Sequence, residues 1–102
     1  MKMYRQGDVL LEQMESIPKG LKKLERLIVA YGEVTGHAHR FDCKLGDGVE
    51  LLEDDKGNLF VRVAKTTELV HEEHETLTIP PGDYKYVPQR EYSPEAIRRV
   101  QD

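Results

Sequence analysis

Val49-Glu50-Leu51-Leu52-Glu53 and Leu59-Phe60-Val61-Arg62-Val63-Ala64 stand on either side of Asp54-Asp55-Lys56-Gly57-Asn58. Two short runs rich in aliphatic and β-branched residues, joined by a polar connection that carries a glycine, form the pattern of a β-hairpin. Downstream, Thr76-Leu77-Thr78-Ile79 and Tyr84-Lys85-Tyr86-Val87 flank Pro80-Pro81-Gly82-Asp83. Proline and glycine preset turn dihedrals, so this stretch predicts a second hairpin. Upstream, Arg26 to Tyr31 reads as a buried strand, while Leu21 to Glu25 before it has helical spacing for a turn or two. Gly7-Asp8 precedes Val9 to Met14, a first strand that Ile17-Pro18-Lys19-Gly20 closes. At the far end, Ser93-Pro94-Glu95 followed by Arg98-Arg99 predicts a closing helix, with Ser93 as N-cap and charges that suit the helix dipole. No fixed-period repeat, low-complexity tract or linker divides the chain. Residues 1–102 therefore read as a single domain, all-β or mainly β: a small antiparallel β-barrel or sandwich of roughly seven strands with a short C-terminal helix.

The chain has 102 residues, of which 38% are hydrophobic and 33% charged, enough for one core. No apolar run approaches the ~20 residues of a membrane-spanning helix. Met1 to Leu11 carries Lys2, Arg5 and Asp8 where a secretory signal needs ~7–15 apolar residues, so the expected compartment is the cytoplasm. Cys43 is the single cysteine and cannot form an internal disulfide, in keeping with a reducing compartment. A net charge of -4 argues against nucleic-acid binding through an overall basic field. The excess of negative charge lies in the second half, concentrated at Glu68, Glu72, Glu73, Glu75 and Asp83, a stretch without lysine or arginine.

That acidic stretch also holds two of the four histidines, and all four occur in pairs: His37-Ala38-His39 and His71-Glu72-Glu73-His74. Histidines two apart on a strand project from one face and can clip a single ion. His71 and His74, three apart, share a side only if Glu72-Glu73 form a bend. If a sheet brings the pairs together on adjacent strands, they can bind zinc, nickel, iron or copper, with Glu72, Glu73 or Glu75 as an oxygen ligand or hydrogen-bond acceptor. The second pair is not the helical zinc-protease motif, which spaces its histidines four apart.

Gly36-His37-Ala38-His39, followed by His71 or His74 before Ile79-Pro80-Pro81-Gly82, resembles the cupin group of small β-barrels over residues 32–87. The resemblance implies an interior metal held by the His-x-His pair and a later histidine. Asp42 stands where the pattern implies a glutamate, and Pro80-Pro81-Gly82 follows the second pair instead of separating the two.

Cys43, four residues beyond His39, is read as a small buried hydrophobe, with a thiolate ligand or a nucleophile as alternatives. The Gly32 to Gly36 segment lacks the Lys-Ser/Thr end of a phosphate loop and is read as a bend that delivers His37. Tyr84, Lys85, Tyr86, Arg90, Tyr92, Arg98 and Arg99 give the chain end a basic, aromatic character, but its weak net field makes nucleic acid an unfavoured partner.

The leading expectation is a metal-binding domain using His37, His39, His71 and His74, with Glu72 and Glu73 as candidate catalytic or tuning groups. Its chemistry would be hydrolysis by a metal-bound hydroxide or cupin-style chemistry on a small-molecule substrate. The first alternative is a non-catalytic interaction module whose acidic Glu68 to Asp83 face meets a basic protein partner. The second is a metal-free nuclease that uses histidines as acid and base with Arg40 on the phosphate. Exposed strand edges leave a homo-oligomer open.

Overall fold

A computed structural model describes residues 2–31 and 36–88. The predicted helix over 93–100 and most of the 32–36 bend lie outside those residues. Ten strands are formed: β1 (Met3–Gln6), β2 (Val9–Met14), β3 (Lys22–Leu24), β4 (Ile28–Tyr31), β5 (Ala38–Phe41), β6 (Val49–Glu53), β7 (Leu59–Val63), β8 (Thr67–Val70), β9 (Leu77–Ile79) and β10 (Gly82–Pro88). They build a six-stranded sheet in the order β1-β2-β10-β7-β6-β3 and a four-stranded sheet in the order β4-β5-β8-β9. Every pairing is antiparallel. The architecture is two open sheets sharing a core, and no closed barrel is present among the described residues.

The hairpin predicted around Asp54 to Asn58 is β6–β7, with Leu51 opposite Val61 and Leu52 opposite Phe60. Its alternation divides the apolar residues between two faces. Leu51 and Val61 join Val9, Leu11, Tyr84, Phe41, Leu69 and Ile79 in the main core between the sheets. Leu52 and Phe60 face the other way and form a smaller cluster with Ile17, covered by Met14 and Leu21. The link after β2 therefore does more than close a strand, since it roofs the outer face of the six-stranded sheet.

Four expectations are corrected. The Gly7-Asp8 turn does not open the first strand; it joins β1 to β2, with Gln6 opposite Val9. Leu21 to Glu25 does not coil: Lys22–Leu24 is a strand that gives the edge of β6 its backbone partners, and Lys23 reaches Glu50 at 3.4 Å. One or two isolated helical turns gain too few hydrogen bonds to offset nucleation. Pro80-Pro81-Gly82-Asp83 is not a hairpin turn. β9 pairs with β8, whereas β10 is inserted between β2 and β7, so the prolines carry the chain from one sheet to the other. The strand count exceeds seven because β1, β3 and β8 are short segments of mixed polarity. No helix of the described residues is long and apolar enough to cross a membrane.

Candidate metal centre

β5 pairs with β8 so that Arg40 is opposite Val70 and Phe41 opposite Leu69. One more step along that register sets His39 opposite His71, the first residue after β8. From there the chain bends through Glu72, Glu73 and His74 and returns as β9, antiparallel to β8. The bend expected between His71 and His74 is thus the loop of the β8–β9 hairpin. His39 and Phe41 lie on the core-facing side of β5, at 1% and 2% exposure, while Arg40 is exposed. Ala38, which alternates with His39 along the strand, is buried as well.

The four imidazoles gather at this end of the molecule. The His39 ring lies 4.3 Å from that of His71 and 5.7 Å from that of His74, nearly parallel to the latter. His71 and His74 are 4.6 Å apart, and His37 stands edge-on to His71 at 5.6 Å. The arrangement does not converge on one point. Donor atoms within 4.8 Å of one another fall into two groups, His39/His71/His74 and His37/His71/Glu72, which share His71. Cys43 is in neither group and packs against the main core.

Three residues on the β1–β2 turn complete the site, and none was singled out from the sequence. Gln6 is buried, and its Nε2 donates to the carbonyls of Leu69 and Glu75, each at 2.8 Å. Those two bonds use the amide hydrogens and turn Oε1 toward His39 Nδ1 at 2.9 Å. A carboxamide oxygen only accepts, so His39 Nδ1 must carry the proton and the neutral ring keeps its lone pair on Nε2. That atom faces Asp8 Oδ1 at 3.4 Å. Gly7, at φ 60°, makes room for His74: a Cβ there would lie 2.6 Å from His74 Nε2. The signal for these residues was present only as a polar Gln-Gly-Asp sequence, and its meaning depends on β1 being a strand.

The charged groups have separate tasks. Glu72 Oε1 accepts the Ala38 N–H at 2.9 Å and Oε2 lies 3.5 Å from Arg40 Nη1, so this carboxylate fastens the loop to β5. The hydrogen bond from Ala38 is the main reason its pKa is lowered. Glu73 is exposed and stands 3.8 Å from His37 Nδ1, outside hydrogen-bond range, while its own N–H donates to His71 Nδ1 at 3.0 Å. Burial lowers the pKa of His39, the neighbouring His71 lowers it further, and Asp8 opposes both. The acidic run is not one face: Asp83 lies on β10 in the other sheet, where it accepts the Ile17 N–H and approaches Arg62. Tyr84 is wholly buried and its hydroxyl donates to Pro80 O at 2.7 Å, so it offers no stacking surface.

A protein-family model described as a domain of unknown function (DUF8820) matches residues 5–89, a span that contains Gln6, Gly7, Asp8 and all four histidines. No curated protein and no solved structure matches the chain.

Proposed function

The chain belongs to the DUF8820 family, whose description assigns no activity, and from its own residues we propose that it binds a divalent transition metal through His39, His71 and His74. The observation that carries this reading is the Gln6–His39 hydrogen bond. Histidines that ligate metals characteristically donate their other ring N–H to an oxygen acceptor, which fixes the tautomer and aims the free nitrogen. Here Gln6, itself locked by two carbonyls, does this for a histidine buried against two others. Imidazole donors suit zinc, nickel, copper or iron. Nitrogens on a tetrahedral zinc, with Zn–N of ~2.0–2.1 Å, are about 3.4 Å apart, so donor atoms within 4.8 Å need only modest side-chain rotation to close.

Three neutral ligands leave coordination open, and His74 is on the solvent side. An ion held in this way is a Lewis acid accessible to a small molecule, which favours hydrolysis as the associated chemistry. Asp8, 3.4 Å from His39 Nε2, is the carboxylate best placed to hold a proton there. Glu72 serves the site by fastening its loop, and Glu73 is available beside His37.

The test is metal content after stripping with EDTA and reloading an untagged protein with zinc, nickel, copper or iron. Wild type should retain metal through gel filtration, His39→Ala and His74→Ala should each lose at least the equivalent held by these three histidines, and Gln6→Leu should bind that ion roughly 10–100-fold more weakly. Wild type that retains none of the four metals would refute the reading.

A further inference from the structure

We propose a second metal position beside the first, formed by His37, His71 and Glu72, with His71 shared between two ions. The inference rests on the metal-binding reading above and extends it from one ion to two.

The donor atoms of His37, His71 and Glu72 lie within 4.8 Å of one another, the same closeness that unites His39, His71 and His74. His37 belongs only to this second group, so a single ion at the first position leaves it unused. Its Nδ1 is buried and has no hydrogen-bond partner among the described residues, with the Glu73 carboxylate no nearer than 3.8 Å. A buried nitrogen without a partner calls for an explanation. A cation supplies one, because it would use the lone pair that no donor satisfies. The surrounding charge agrees: Asp8, Glu72 and Glu73 approach the histidines, and Arg40 pairs with Glu72. With one of the three carboxylates paired to Arg40, the charge left beside the histidines is negative, which favours cations there.

His71 is the pivot. Imidazole has a nitrogen on each side of the ring, and the neighbours of His71 are His39 and His74 for one group and His37 for the other. When both ions bind, the remaining ring proton of His71 leaves to solvent and the hydrogen bond from the Glu73 N–H to Nδ1 is given up. Each nitrogen then donates one lone pair to one ion. Glu72 can add a carboxylate lone pair while Oε1 keeps the Ala38 N–H, because each oxygen has two.

The experiment is stoichiometry on the untagged full chain, stripped with EDTA and titrated with zinc, with bound metal measured after gel filtration. Wild type should hold two equivalents, while His37→Ala and Glu72→Gln should each hold one, with circular dichroism verifying the fold. One equivalent in wild type, unchanged in His37→Ala, overturns the second position but leaves the first standing; zero equivalents overturns both. Copper(II) tests the sharing of His71. Two equivalents should give an electron paramagnetic resonance signal well below twice that of one, because a common imidazolate couples the spins. A signal that simply doubles rules out the bridge.

Discussion

Gly7 and Gly20 allow the backbone at the site to be separated from its side chains. Both have positive φ, 60° and 81°, so alanine strains either position by ~1–2 kcal/mol. Nothing lies within 4 Å of a Cβ on Gly20, whereas a Cβ on Gly7 meets the His74 ring. Gly7→Ala and Gly20→Ala should therefore both lower the melting temperature, but only Gly7→Ala should weaken metal binding; equal affinities in a zinc titration would contradict the placement of His74. His39 sets the pH response of the metal-free protein. Its folded pKa lies below the ordinary 6.5, chiefly because burial disfavours the imidazolium. The unfolded chain then takes up this proton more readily than the folded one, so the stability due to neutral His39 is present above 6.5 and is lost as pH falls through the folded value. Melting curves of apo protein should shift downward between about pH 7.5 and about pH 5.5, with a smaller shift in His39→Gln. The histidine spacing announced these groups because imidazoles attract attention by type. Gln6 did not, since an uncharged amide has no recognisable chemistry until its three partners are in place.

Hairpins with their own turn chemistry were legible in the sequence. The β6–β7 connection stands on Asp54, whose carboxylate accepts the N–H groups of Lys56 and Asn58 and the Asn58 side-chain amide, so local residues determine it. Pro80-Pro81-Gly82 carries equally strong local signals, but these specify a change of direction and not the partner that follows. Alternation in Thr76–Ile79 and Tyr84–Val87 likewise identifies two strands without assigning them to one sheet. Partner choice was made by burial: Tyr84, at 0% exposure, completes the core across from Val61. The outer cluster of Ile17, Leu52 and Phe60 was invisible for a related reason, because it needs the post-β2 segment to fold across a sheet face. Phe60→Ala should cost about 3–5 kcal/mol in urea unfolding, as expected of a buried aromatic. A loss near zero would mean that this roof contributes nothing to stability.

The proposed metal ligands and their supports come from both sheets, with Gln6 at the end of β1, Gly7 and Asp8 in the turn to β2, His39 on β5, and His71 and His74 between β8 and β9. Ligand binding to the folded state alone then stabilises the whole molecule, by about 2.7 kcal/mol at a free metal concentration 100 times the Kd. For a domain of this size that is a rise in Tm of roughly 10 °C or more, reversed by EDTA; calorimetry showing no rise for a protein that retains metal would mean that the unfolded chain binds the ion equally well, against a site assembled by the fold. The position of β10 has a consequence for biosynthesis. It follows its partners β2 and β7 in the chain yet lies between them. Until Gly82 to Pro88 is available, β2 and β7 each lack the backbone partner that β10 gives them in the folded chain. The growing polypeptide must be kept from pairing them with each other or with a neighbouring nascent chain, so slow translation through this segment would favour aggregation over folding.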